Sequence, residues 1–281
     1  MGGRIAKHLA KDHEVWGIYR STLPTQLESV PNLTLIQDDL ANPHSLPEEC
    51  EYVVHAAADT PQTTKDKAQL YRSNLDGMGQ LLQWCERAGV KRFLFCSTMA
   101  VYGQIEEEWI NEATPSHTPN TYGASKIAAE LALEQWSIQQ KTCRSVTVRL
   151  PGVVGKEAKY TFLPRTVQKI RKGETVTVFR KKALFNNIVH VEDLSEFVTR
   201  WPQQVVDTYY LCFNTASTEP IPLEKVVGIL MEGLGVQTKV TENGQGRPPF
   251  LIDTILAKSQ GFPLDTTNNS LIRYAKEVVM S

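Results

Sequence analysis

The mixing of strand-like and helix-like segments along the first half of the chain constrains its fold more than any other feature. Residues 5–9 have helical spacing, residues 14–19 and 33–37 read as strands, and residues 52–57 form a near-continuous apolar run suited to burial on both faces. Residues 70–88 keep the 3.6-residue period up to Gly89, a natural helix stop. A strand at 92–96, a helix at 122–136 and a β-branched strand at 145–150 complete the series. Strands separated by helices need crossover connections, so the expected fold is α/β, a Rossmann-like doubly wound parallel sheet. Beyond residue 151 the regularity loosens. Helices are expected at 162–172, 193–200 and 223–234, strands at 175–179 and 208–214, and an exposed loop at 241–249. The expected organisation is a nucleotide-binding domain over 1–150 and a smaller C-terminal substrate lobe over 151–281, interleaved with the first.

Composition narrows the function classes. Thirty basic and 31 acidic side chains leave a net charge of -1, so no overall field attracts nucleic acid or an anionic membrane. A small anionic substrate must be gripped by local groups instead. Five scattered cysteines without a C-x-x-C motif suit a reduced, cytoplasmic setting, and six histidines without close pairing to one another or to cysteine argue against a structural zinc site. No apolar run approaches the roughly 20 residues of a membrane-spanning helix, and Arg4, Lys7, Lys11 and Asp12 interrupt any signal-peptide core.

The chemistry concentrates between residues 92 and 126. Tyr122 and Lys126, four apart at the start of a helix, share one face. A free phenol ionises near pH 10, too high for a base at neutral pH, and a neighbouring ammonium is expected to lower that value. Such a pair takes a proton from a hydroxyl during oxidation or gives one to a carbonyl during reduction, and the lysine can also bond cofactor ribose hydroxyls. Upstream, a buried-looking strand ends in Ser97-Thr98, at the sheet edge where doubly wound folds place ligands. A hydroxyl there either binds the substrate oxygen or caps the following turn.

The order Ser97-Thr98-Met99-Ala100-Val101-Tyr102-Gly103 followed by Tyr122-x-x-x-Lys126 resembles the signature of extended short-chain dehydrogenase/reductases, the nucleotide-sugar epimerase/dehydratase family. The resemblance continues through His55-Ala56-Ala57-Ala58, Ser73-Asn74-Leu75-Asp76-Gly77, Ala88 to Arg92, Arg149-Leu150-Pro151-Gly152, His190 to Leu194, and Asp253 to Phe262. It implies that Thr98 is the catalytic hydroxyl, Tyr122 the acid/base and Lys126 its support. It further implies cofactor contacts at Gly2, Asp39, Leu40, Ala56, Ala57, Asn74 and Pro151, and a homodimer through the helices at 70–88 and 122–136. Substrate contacts are expected at Thr98, Asn187 and Arg247, the last suited to a phosphate. Asn186 replaces an arginine that many nucleotide-sugar members carry, which loosens the assignment to nucleotide sugars.

Gly2 matches the third glycine of the family's T-G-x-x-G-x-x-G loop, so the first strand and most of that loop are expected to be missing, with a misassigned start codon favoured over a truncated gene or a substituted strand. At the end of the strand at 14–19, where an acid usually receives the adenosine ribose of NAD, stand Tyr19 and Arg20. A guanidinium pairs with a 2′-phosphate, so NADP(H) is favoured, with NAD(H) the alternative. The expected function is an NAD(P)-dependent oxidoreductase acting on a sugar hydroxyl or ketone. A nucleotide-sugar 4-epimerase and a catalytically impaired dinucleotide-binding protein remain alternatives.

Overall fold

The computed structural model describes residues 1–244 and 249–279. In chain order it begins α1 (Gly2–Leu9), β1 (Val15–Tyr19), β2 (Leu33–Gln37), β3 (Tyr52–His55) and α2 (Lys67–Ala88). Next come β4 (Arg92–Thr98), the two-residue β5 (Trp109–Ile110), α3 (Thr121–Gln140), β6 (Arg144–Leu150) and β7 (Gly152–Val154). Then follow α4 (Phe162–Arg171), β8 (Val176–Val178), β9 (Leu184–Phe185), β10 (Ile188–His190), α5 (Val191–Arg200) and β11 (Tyr210–Asn214). The chain closes with β12 (Ile221–Pro222), α6 (Leu223–Leu234), β13 (Val240–Glu242), β14 (Leu251–Ile252), α7 (Ile255–Ser259) and α8 (Thr267–Val279).

Two compact units result. The first comprises residues 1–104, 115–149 and 195–213, and the second residues 105–114, 150–194 and 214–281. In the first, a four-stranded sheet runs in the order β11-β6-β4-β3, and β1 with β2 forms a separate parallel pair. The Rossmann-like α/β expectation is met. Among the described strands none bonds β1 to β3, so each keeps one edge outside the ladders.

Local chemistry explains the long helices. The Asp66 carboxylate caps α2 by accepting from the Ala68 and Gln69 amides, and Gly89 ends it at φ 72°. The α2 stripe of Leu70, Met78, Leu81, Leu82 and Cys85 is buried. From Met78 onward it belongs to a core built with Val53, Phe93, Phe95, Ala129 and Leu133, whose removal from water stabilises the unit. β4 runs through this core with Phe93, Leu94 and Phe95 fully buried. β3 instead alternates buried and partly exposed residues, because it is the edge strand of its sheet and only one face is well covered.

The second unit pairs β7 with β10, β8 with β13, and β5 with β14 in parallel, and β9 with β12 antiparallel. Its core gathers residues of α4, α6 and α8, including Val167, Ile170, Leu230, Leu271 and Tyr274. The segment expected as a loop at 241–249 begins inside β13, where Thr241 pairs with Thr177. That pairing depends on a partner remote in sequence, and residues 245–248 lie outside the described residues. No helix among the described residues is long and apolar enough to cross a membrane.

Candidate active site

Asn120 fixes where α3 begins: its side-chain oxygen accepts from the Gly123 amide at 2.9 Å. From that start Tyr122, Lys126 and Glu130 recur one turn apart on a single stripe. Lys126 is buried, 2% exposed. Its Nζ donates to the Cys96 carbonyl at 2.8 Å and lies 4.0 Å from the centroid of the Phe95 ring. Burial pulls this ammonium down to about 8, although Cys96 and Glu130 favour its charged form. His55 stacks on the same Phe95 ring, with centroids 5.3 Å apart. Burial, and then the charge of Lys126, hold it neutral with a pKa near 3.

Tyr122 is partly exposed at the first turn of α3. Its phenol does not have the lowered pKa expected from the spacing: burial raises it, and Cys96 adds to the effect. The physical reason is direction. Lys126 aims its ammonium at the Cys96 carbonyl, and loss of water around the phenol then dominates.

Thr98 ends β4 and caps the short turn Met99–Tyr102, its hydroxyl oxygen accepting from the Ala100 amide at 3.2 Å. Capping uses a lone pair and leaves the hydroxyl proton to donate. The same turn is pressed against the start of α3. A Cβ on Gly123 would fall 2.1 Å from the Ala100 carbonyl oxygen, so only glycine permits that approach. Gly103, at φ 67°, closes the turn equally tightly, with the His117 carbonyl 2.0 Å from where a Cβ would sit.

Asn74 is buried and wholly engaged by protein groups. Its amide nitrogen donates to the Asp59 carbonyl and to Ser125 Oγ, both at 3.0 Å, and its oxygen accepts from the Asp59 amide at 2.7 Å. Ser125 Oγ in turn donates to the Tyr122 carbonyl at 2.8 Å. Asn74 thereby fastens the turn that follows β3, with partly buried Ala56 and exposed Ala57, to the start of α3. Gly2 opens α1 near the same turn, since a Cβ there would lie 3.8 Å from the Ala56 Cβ.

Arg20, half-exposed at the end of β1, places both terminal nitrogens on Asp59, at 3.0 and 2.8 Å. Ser73 Oγ adds a bond of 2.6 Å to the same carboxylate. The Arg20 hydrogen bond, above all, holds the Asp59 carboxyl below its ordinary range. This end-on fork leaves the Nε edge of the guanidinium open. Asp39 is exposed and accepts from the Ala41 amide at 3.0 Å in a local turn, while Leu40 packs over Gly77.

In the second unit, Pro151 joins β6 to β7, and Asn187 Nδ2 donates to the Phe250 carbonyl at 2.8 Å. Arg247 lies outside the described residues. Within the described residues no group of histidine, cysteine or acid could hold a metal ion.

Two elements of the first unit escaped the sequence analysis. Asp59 is one, and the other is Glu130 with its pairing to Arg149, a residue that entered only through the family resemblance. Glu130 had a signal, since it repeats the Tyr122–Lys126 interval once more on the buried side of α3. A buried acid at such a position requires a partner.

Comparison with known proteins bears on the family and the fold. The model of the NAD dependent epimerase/dehydratase family matches residues 1–209. A UDP-glucose 4-epimerase of Lacticaseibacillus casei is 31% identical over 132 residues, 44% of this chain and 40% of that protein. A GDP-6-deoxy-D-mannose reductase of Pseudomonas aeruginosa is 34% identical over 186 residues, 62% of this chain and 57% of that protein. The chain thus spans about half the length of the curated relatives it matches. Among solved structures, a UDP-glucuronic acid 4-epimerase from Bacillus cereus superposes with a TM-score of 0.84 at 16% identity, covering 99% of this chain and 96% of that one. RMD from Pseudomonas aeruginosa, complexed with NADPH, gives 0.73 at 23% identity over 89% and 91% of the two chains. At such identities these structures bear on the fold.

Proposed function

Because the chain belongs to the NAD dependent epimerase/dehydratase family, we propose that it moves hydride between a nicotinamide dinucleotide and a carbinol or ketone carbon of a nucleotide-linked sugar. The observation that carries this reading is the stripe of Tyr122 and Lys126 on α3, with the Lys126 ammonium bonded to the end of the strand that terminates in Thr98.

The residues present fit a dinucleotide. The first turn of α1, opened by Gly2 and Gly3 with no side-chain cap, offers amide donors at the positive end of a helix dipole, where a pyrophosphate is stabilised. Lys126 has two protons beyond its bond to Cys96 for ribose hydroxyls. When bound, the nicotinamide supplies the carbon that accepts or releases hydride. The protein's own groups handle the proton. Burial keeps Tyr122 protonated at neutral pH, which suits donation to a substrate oxygen, the reductive direction. Thr98 donates its free hydroxyl proton to the same oxygen and steadies charge as it develops. The Lys126 charge favours the phenolate left behind.

The 4-epimerase among the relatives supports a second reading, in which the same phenol removes and returns one proton on a single substrate. Consumption of NADPH with a panel of nucleotide-linked keto sugars separates the two. Net loss of absorbance at 340 nm supports the reductase, and interconversion of sugars without net loss supports the epimerase. Five free thiols suit a reducing, cytoplasmic setting. Exposed Leu131 and Ile138 on α3 suit a homodimer through that helix and α2.

Preference for NADP(H) rests on Arg20, whose open Nε edge is available to a 2′-phosphate while Asp59 holds the guanidinium still. Arg20→Ala is expected to weaken NADPH binding about ten- to hundredfold, the worth of a charge-assisted hydrogen bond, with NADH affinity within about twofold. Fluorescence titration of both cofactors checks this, and equal losses for the two would refute the preference.

A further inference from the structure

The charged side chains buried behind the proposed site converge on one short stretch. Glu130 accepts a short hydrogen bond from Ser97 Oγ. It also receives Arg149, whose Nη2 lies 2.7 Å and Nε 3.2 Å from the carboxylate. Arg149 then reaches onward, Nη1 donating to the Tyr102 hydroxyl at 2.9 Å. Ser97, Glu130 and Tyr102 are each at most 5% exposed. Ser97 immediately precedes Thr98, and Tyr102 closes the turn that Thr98 caps. The two ends of the turn are therefore bonded to the two members of one ion pair, and Glu130 stands two turns along α3 from Tyr122.

We propose that the Glu130–Arg149 pair is a positioning device that clamps the turn carrying Thr98 to the helix carrying Tyr122, so that hydroxyl and phenol face one substrate oxygen together. Stability alone is a poor account of the pair, because well-packed apolar residues commonly serve a buried site as well or better. Placement accounts for it directly. Proton transfer and oxyanion stabilisation both fail steeply when donors are misplaced by about 1 Å. Gly123 against Ala100 and Lys126 on Cys96 hold the middle and the start of the same stretch, and the pair supplies the two remaining fixings. Glu130 and Arg149 are positioning residues that act through Ser97 and Tyr102. The kinetic consequence rests on the reaction proposed above, and the structural one does not.

Ser97→Ala and Tyr102→Phe, singly and combined, cut the two fixings without stranding a buried charge. Glu130→Gln combined with Arg149→Met removes the clamp itself. Hydrogen exchange at the Gly103 and Gln104 amides, which donate to the Ala100 and His117 carbonyls at 3.2 and 2.7 Å, reports on the turn. In the Ser97→Ala/Tyr102→Phe protein exchange there is expected to accelerate at least about tenfold, while Phe93 to Phe95 in the core of β4 stay protected. Turnover of the best keto sugar is expected to fall about ten- to hundredfold, with KM and NADPH affinity within about twofold. In the Glu130→Gln/Arg149→Met protein the alkaline limb of the kcat profile also moves to lower pH, because the carboxylate that favours the Lys126 ammonium is gone. Unchanged exchange at the turn, or acceleration that extends equally through β4, would overturn the clamp. Absence of turnover in the unaltered protein would count against the proposed reaction alone, and the exchange comparison would still decide the clamp.

Discussion

Tyr122→Phe is expected to lower turnover by about 10²- to 10⁴-fold, the usual range for losing a general acid in the transition state, while leaving the fold and NADPH affinity almost unchanged. The phenol sits partly exposed at the first turn of α3, outside the packed core of the unit, so removing its oxygen strands no buried partner. The loss therefore belongs to kcat. Burial keeps the phenol protonated across the neutral range, so reduction by the unaltered protein is expected to hold level from pH 5 to 7, below the titration of Lys126 near 8. A fall with rising pH in that window would assign the proton to another group. Steady-state kinetics of both proteins across that range make the comparison.

Lys126→Met is expected to do two opposed things: abolish most of the turnover and stabilise the folded protein at neutral pH. Lys126 binds its proton less tightly when folded, at about 8 against an ordinary 10.5, chiefly because of burial. Below pH 8 both folded and unfolded chains carry the proton, and the folded state bears the full cost of about 3 kcal/mol. Between pH 8 and 10.5 the folded side chain has released its proton and the unfolded one has not. The unfolded state binds more protons there, so stability rises with pH through that window. Methionine has similar volume and no charge to desolvate. It is expected to add up to about 3 kcal/mol at pH 7, less the contribution of the lost bond to Cys96, and to flatten the slope between pH 8 and 10.5. Urea unfolding at several pH values tests both points. A variant less stable than the parent at pH 7, with the slope retained, would show that the buried ammonium is not the source.

These expectations depend on features that the sequence displays unevenly. Helix α6 and strand β2 begin and end where periodicity places them, and Gly89 and Gly235 stop their helices in the left-handed conformation a glycine stop implies. Such boundaries are set by local chemistry. The two-residue strands β5, β9, β12 and β14 are different, since each exists only through a partner remote in sequence. Helix α8 lacks that excuse: Leu271, Tyr274, Ala275 and Val278 mark a helical stripe, but polar Asn268, Asn269 and Ser270 obscured its start.

The site divides along the same line. Spacing alone puts Tyr122 and Lys126 on one face, because four residues are about one turn. It does not say that the ammonium bonds to Cys96, nor that desolvation outweighs its pull on the phenol. Arg20 was legible as a free guanidinium beside the cofactor; Asp59, 39 residues away in sequence, is what orients it. Glu130 and Arg149 are ordinary surface residue types until the packing of β4, β6 and α3 encloses them.

The most direct trial of the hydride-transfer reading uses NADPH deuterated at its transferable position, mixed with the protein and a panel of nucleotide-linked keto sugars, with product masses read by mass spectrometry. The predicted result is a reduced sugar one mass unit heavier than its protium counterpart, formed by the unaltered protein and only at background level by Tyr122→Phe. A panel in which no sugar acquires deuterium, or one in which the phenylalanine protein labels its product at the same rate, would contradict it.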